Sequence, residues 1–117
     1  MLSSKTAHQI AQGLLGVTEK DHFGGDGFYV NNRIFATLWA EKKEVNVRLN
    51  PAQQKAFVAT DARAFYEIPN GFGRQGWTTI RLGAVGKKLF QQALHTAWEN
   101  GALKAPARAR ARRSKRA

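Results

Sequence analysis

The stretch from Gly71 to Leu82 constrains the fold of this chain more than any other segment. It contains three glycines, which predict a turn around Phe72 and Arg74. The six residues that follow, Trp77 to Leu82, combine large apolar, β-branched and hydrophilic side chains, as a half-buried β-strand does. The segment therefore predicts an arginine-bearing loop that leads into a strand.

Helices are predicted near both ends of the chain. Apolar residues recur at helical spacing after Ser4, which is suited to cap the helix, and Gly16 is suited to end it. A wide apolar stripe from Val85 to Trp98 predicts a second helix, with Gly101 as its stop. Between them, Asn50 to Gln53 supplies a capping box with proline at the first helical position. This middle helix is predicted to run to about residue 59 and to bury Ala56, Phe57 and Val58.

The segment between the first two helices predicts strands. Two β-type runs, Phe28 to Val30 and Arg33 to Ala40, flank Asn31-Asn32, and asparagine tolerates the positive φ of a two-residue hairpin turn. A charged turn, 41–44, leads into Val45 to Leu49, whose alternation places Val45, Val47 and Leu49 inward. Residues 18–27 predict a loop or a short edge strand, and residues 64–68 a short strand. Together the pattern predicts an α+β fold: a mainly antiparallel β-sheet packed against N- and C-terminal helices plus a short middle helix.

Charge divides the 117-residue chain into two parts. The formal net charge is +11, but a run of basic residues near the C-terminus meets no acid. The basic residues of this tail are Lys104, Arg108, Arg110, Arg112, Arg113, Lys115 and Arg116. Like charges without large apolar residues do not fold alone, so we predict one domain over residues 1–103 and a disordered basic tail over 104–117.

Composition excludes several classes of protein. The chain has no cysteine, so disulfides and cysteine-ligated metal sites are excluded. It has no apolar run long enough to cross a membrane and no signal-peptide core. These features predict a cytoplasmic protein without a membrane association.

Three short motifs occur in an order that resembles the MmcQ/YjbR-like family. They are Phe28 to Ala36, Val47 to Pro51 and Gly76 to Ile80, and an apolar helix ending at Trp98 follows them. The resemblance covers roughly residues 5–100. It implies a fold similar to the bacterial frataxin-like α+β sandwich, and it implies DNA binding through a double-wing arrangement of strands and loops. It supplies no catalytic residues.

Catalytic and metal-binding patterns are absent from the sequence. His8, His22 and His95 have no metal-ligand spacing, and the acids of residues 19–26 lack an alternating calcium-loop pattern. The first helix has no acid, unlike the iron-binding surface of frataxins. The glycines of residues 71–76 lack the Lys-Ser/Thr of a phosphate loop. We therefore predict no enzyme activity, no metal and no cofactor.

Nucleic acid, in particular duplex DNA, is the predicted partner. Cations at turns and on outward strand positions are suited to contact phosphates. In addition to the basic tail, the candidate DNA-binding residues are Arg33, Lys42, Lys43, Arg48, Phe72, Arg74 and Arg81. Phe72 is included because its ring beside Arg74 could stack on a base, whereas Trp39, Trp77 and Trp98 are predicted to lie in the core. The alternative is a protein-interaction domain with an electrostatic tail.

Overall fold

The alternating strands form one six-stranded sheet in the computed structural model, which describes residues 2–102. The strands are β1 (Thr18–His22), β2 (Gly25–Val30), β3 (Arg33–Trp39), β4 (Glu44–Arg48), β5 (Phe65–Glu67) and β6 (Trp77–Arg81). The helices are α1 (Ser4–Gln12), α2 (Pro51–Thr60), α3 (Gly71–Arg74) and α4 (Lys87–Ala102). All neighbouring strands are antiparallel, in the order β1-β2-β3-β4-β6-β5. The predicted α+β class is confirmed.

The core lies between one face of the sheet and the helices. α4 packs across β2, β3 and β4, and α1 packs on β3. Phe35, Val47 and Ile80 of the sheet are fully buried with Phe90 and Leu94 of α4. Burial of a large apolar side chain stabilises the fold by about 1.5–3 kcal/mol, so this layer holds the domain together.

One turn and one helix N-terminus have the side-chain chemistry that the sequence predicts. Asn31 and Asn32 adopt φ values of 54° and 62°, as the two-residue turn between β2 and β3 requires. Asn50 and Gln53 form the predicted capping box: the Asn50 side chain accepts from the Gln53 backbone N–H, and the Gln53 side chain accepts from the Asn50 N–H.

The predicted ends of the terminal helices were wrong. α1 ends at Gln12 because Gly13 caps it, so the predicted end at Gly16 was wrong, and Leu15, which has the helical spacing of the apolar face, is 81% exposed. Gly101 does not stop α4 but lies buried within it. A Cβ at Gly101 would lie 2.8 Å from Val30 Cγ1, so the glycine allows close packing of α4 on β2.

The middle of the chain holds two further differences. In α2 Ala56 is exposed and Gln54 is buried, because the Gln54 amide donates to the backbone oxygens of Gly73 and Trp77. The predicted glycine loop is the short helix α3, whose first N–H groups are capped by the Asn70 side chain. The segment before β6 is thus anchored to α2 rather than being a free loop.

The two remaining predictions concern membrane spans and the basic tail. Among residues 2–102 no helix has the length and apolar character needed to cross a membrane. The predicted basic tail, residues 104–117, lies outside the described residues.

Candidate nucleic-acid interface

The second face of the sheet carries no helix of the described chain across its centre, and we call it the open face. Cross-strand partners place their side chains on the same face, so the strand registers define which residues it carries. One row crosses all six strands, and it consists of Lys20, Gly27, Thr37, Asn46, Thr79 and Tyr66. At its centre Thr79 Oγ1 donates to Asn46 Oδ1 at 2.7 Å, which ties β6 to β4.

A cleft of about 440 Å³ lies on the open face. Its lining is largely apolar and aromatic, with a few polar groups. The residues are His22, Phe23, Ile34, Thr37, Trp39, Asn46, Ile68, Asn70, Phe72 and Trp77. Trp39 and Trp77 are half-buried in this cleft, so the prediction that both lie in the core was wrong.

A bulge in β3 places Ile34 in the cleft. Phe28 pairs with Ala36 and Tyr29 pairs with Ile34, which leaves Phe35 as the extra residue. Phe35 and Ala36 are both buried towards the helices, whereas Ile34 lines the cleft. Simple alternation along β3 would put Phe35 on the open face and Ile34 on the covered face. The bulge reverses both positions, and Ile34 therefore lies on the open face.

Two glycines in β2 make room for aromatic rings on this face. A Cβ at Gly25 would lie 3.0 Å from two carbons of the Trp39 ring, and one at Gly27 would lie 3.1 Å from Tyr29 Cε1. The rings of Trp39 and Tyr29 therefore lie against the backbone of β2, in the space that side chains at positions 25 and 27 would fill. This packing holds the rings in place while each keeps part of its surface exposed.

Two exposed phenylalanines border the cleft at its opposite ends. Phe23 occupies the turn between β1 and β2 and is 88% exposed, and Phe72 on α3 is 61% exposed. Phe23 has a φ of 55°, a left-handed conformation that is uncommon for a bulky residue. Its ring contacts His22 edge-on, with centroids 4.7 Å apart.

Cations lie over three aromatic rings of the open face. The Lys20 ammonium is 5.1 Å from the Tyr29 ring centroid, and the Lys42 ammonium is 5.6 Å from that of Trp39. The Arg81 guanidinium carbon is 4.2 Å from the ring centroid of Tyr66. These distances are within the range of cation–π attraction, so the positive charges remain beside the rings.

The structure places the predicted cations of the sheet and its turns at two ends of the sheet. Arg48 and Arg81 lie in open-face positions, whereas Arg33 pairs with Val30, whose side chain packs against α4, so its register assigns it to the covered face. Arg33 and Arg48 line one small cleft at the start of β3 and the end of β4. Lys42 and Lys43 lie on the turn at the other end of these strands, near Arg81 through the pairing of β4 with β6. The six steps along β3 from Arg33 to Trp39 span about 20 Å. Arg74 is exposed at the end of α3 and does not line the cleft that Phe72 borders.

These cations are not neutralised by acids within residues 2–102. The two ion pairs of that region are His8 with Glu19 and His95 with Glu99, and neither contains a lysine or an arginine. Glu44 shares the open face and accepts a hydrogen bond from the Tyr66 hydroxyl at 3.1 Å. The face therefore combines unpaired cations and exposed rings with the Glu44 carboxylate close to Tyr66, and Glu41 is exposed in the turn that carries Lys42 and Lys43.

A histidine and two carboxylates meet on the other side of the sheet. Potential ligand atoms of His8, Glu19 and Asp26 lie within 4.8 Å of one another, although the sequence predicted no metal site. Both oxygens of Glu19 already have partners: His8 Nε2 at 2.9 Å and Gln12 Nε2 at 3.1 Å. These bonds connect α1 to β1, and we assign the cluster a structural role.

Sequence reasoning missed Lys20, Phe23 and Tyr29 as parts of this surface. The signal was present in the run Thr18 to His22, where every second residue would share one face if the run were paired as a strand. The sequence is compatible with a loop or an edge strand here, and the structure shows an edge strand because the run pairs with β2.

Comparisons with known proteins agree with this fold. A family model described as YjbR matches residues 12–100. The structure is similar to the crystal structure of Deinococcus radiodurans protein DR2400, which has a DUF419 family-model domain. The TM-score is 0.74 at 14% identity, and the match covers 98% of this chain and 88% of the other. No curated protein matches the chain.

Proposed function

The chain belongs to the YjbR family, and we propose that it is a cytoplasmic, non-enzymatic DNA-binding protein. It contacts phosphates through the cations around the open face and through the basic residues of 104–116. Most of these contacts are with the backbone of the nucleic acid, so binding is largely independent of sequence.

The observation that carries this proposal is a set of cations at the two ends of the sheet that form no ion pair within residues 2–102. Arg33 and Arg48 lie at one end, and Lys42, Lys43 and Arg81 at the other. The described residues form no lysine or arginine ion pair that phosphate would have to break. Each phosphate neutralised releases condensed counterions, so the logarithm of affinity falls by about 0.9 per tenfold rise in salt for each contact.

The tail adds a second set of charges. Seven of the 19 lysines and arginines lie from Lys104 onward, where the chain has no acid. If all seven contact phosphate, their contribution to the salt slope is roughly −6. A chain ending at residue 103 retains every described residue and removes this contribution.

Titration of labelled duplex DNA at several salt concentrations tests the proposal. We expect affinity to fall steeply as salt rises, and the chain ending at residue 103 to keep a weaker, still salt-dependent affinity. Binding that is undetectable at low salt, or that does not respond to salt, contradicts the proposal. Complete loss on truncation assigns binding to the tail alone.

A protein-interaction domain is the second candidate, and the apolar cleft favours it. Exposed aromatic rings such as Phe23 and Phe72 are also typical of protein interfaces. In that case the folded part has no affinity for DNA, and the chain ending at residue 103 does not bind the duplex at any salt concentration. The same titrations therefore separate the two functions.

A further inference from the structure

We infer that the cleft on the open face binds single-stranded nucleic acid by stacking unpaired bases on its aromatic rings. This inference rests on the proposed function and deepens it, because it assigns the form of nucleic acid that the folded part prefers. Duplex DNA is then bound mainly by charge, at the cations of the domain and the tail.

The cleft presents rings in the arrangement that a single strand requires. Phe23 and Trp39 line one end and Trp77 and Phe72 line the other, with the small polar side chains Thr37 and Asn46 between them. Bases in a duplex stack on one another, so their faces are not available to protein rings. Bases of a single strand can be spread over a sheet and stacked on aromatic side chains.

Charge beside the rings favours the same ligand. Lys42 lies over Trp39, a ring of the cleft, and Lys20 lies over Tyr29 on the same face of the sheet, so ammonium groups stand beside the cleft. Arg48 lies at the opposite end, directly across from Trp77 in the strand register. A strand that stacks its bases on the rings places its phosphates near these cations. A neutral apolar partner would leave the cations without counter-charge.

The turn at Phe23 provides an independent observation. The first central position of such a turn favours asparagine, aspartate or glycine, because its φ is positive. Here the position holds a phenylalanine that is 88% exposed and buries little of its ring. A residue in an unfavoured conformation that contributes little to the fold is free to serve another role, and a ring at the edge of the cleft is available to stack.

Phe23→Asn is the sharpest variant, because it removes the ring and supplies a residue that suits the turn. Its melting temperature should equal or exceed that of the unmodified protein, so a loss of binding cannot come from unfolding. Leu15→Asn is the matched control: Leu15 is also large, apolar and 81% exposed, but it lies between α1 and β1, outside the cleft.

The probes are a labelled deoxythymidine oligomer of about 12 nucleotides, a length within the range that single-strand binding domains cover, and a duplex of the same length. We expect the full chain to bind the oligomer more tightly than the duplex at moderate salt. Phe23→Asn should weaken oligomer binding roughly tenfold and leave duplex binding unchanged. Leu15→Asn should change neither.

Three outcomes overturn the inference. They are no preference for the oligomer, unchanged oligomer binding by Phe23→Asn, and equal weakening of both probes by that variant. If duplex binding persists in these cases, the proposed function stands without the cleft. If neither probe binds at low salt, the proposed function fails as well.

Discussion

The indole ring of Trp39 lies against the backbone of Gly25, so that a Cβ at Gly25 would be 3.0 Å from two of its ring carbons. The same Cβ would be 2.9 Å from Thr37 Cγ2. Gly25→Ala should therefore displace the ring from the open face and destabilise the fold by about 1–2 kcal/mol. Denaturant unfolding measures the stability loss, and the deoxythymidine titration should show weaker binding. If Gly25→Ala keeps its affinity for the deoxythymidine oligomer and the environment of Trp39 is unchanged, Gly25 does not position the Trp39 ring.

Gly76→Ala should destabilise the protein far more than an ordinary surface change. Gly76 has a φ of 116°, and a Cβ there would overlap the backbone oxygen of Leu49. Left-handed strain and this overlap together should cost about 3 kcal/mol or more. Gly83→Ala is the control, because Gly83 is exposed and a Cβ there meets nothing within 4 Å. Equal unfolding free energies for the two variants would contradict the prediction.

Asn50→Ala should remove the N-cap of α2 and destabilise the fold by about 1 kcal/mol. The Asn50 side chain accepts from the Gln53 N–H at 2.8 Å, and the substitution leaves that donor without its partner. Asn50→Asp keeps an acceptor at the same place and should retain most of the stability. Thermal or denaturant unfolding of both variants tests the assignment, which fails if aspartate costs as much as alanine.

Lys42→Gln should reduce the salt dependence of DNA binding. If Lys42 contacts one phosphate, the slope of log affinity against log salt should fall in magnitude by about 0.9. Lys88→Gln is the matched control, since Lys88 lies on α4 in the groove between α1 and α4, on the covered side of the sheet. Identical slopes for the two variants would show that Lys42 is not a contact.

Features that depend only on neighbouring residues could be predicted from the sequence. The Asn31-Asn32 turn and the capping box at Asn50 follow from side chains that bond or tolerate the backbone beside them, and both occur as predicted. The buried positions Val45 and Val47 also follow from strict alternation along one strand. These features need no knowledge of distant parts of the chain.

The rest depends on contacts between distant residues. Gly101 lies within α4, where its missing side chain leaves room for Val30, a contact across 71 positions of sequence. Ile34 faces the cleft because a bulge forms only when β3 pairs with β2. Trp39 and Trp77 were assigned to the core because a strand pattern does not reveal that helices cover only one face. The cleft itself therefore could not be predicted from sequence.

Tryptophan emission gives the most direct measurement of whether the open face is the binding site. The chain has three tryptophans, and Trp98→Phe leaves Trp39 and Trp77, which both line the cleft. Stacked bases quench indole emission, so the deoxythymidine oligomer should quench this variant along the same titration curve that anisotropy of the labelled oligomer reports. Binding seen by anisotropy with unchanged tryptophan emission would contradict the account, because the oligomer would then bind elsewhere on the chain.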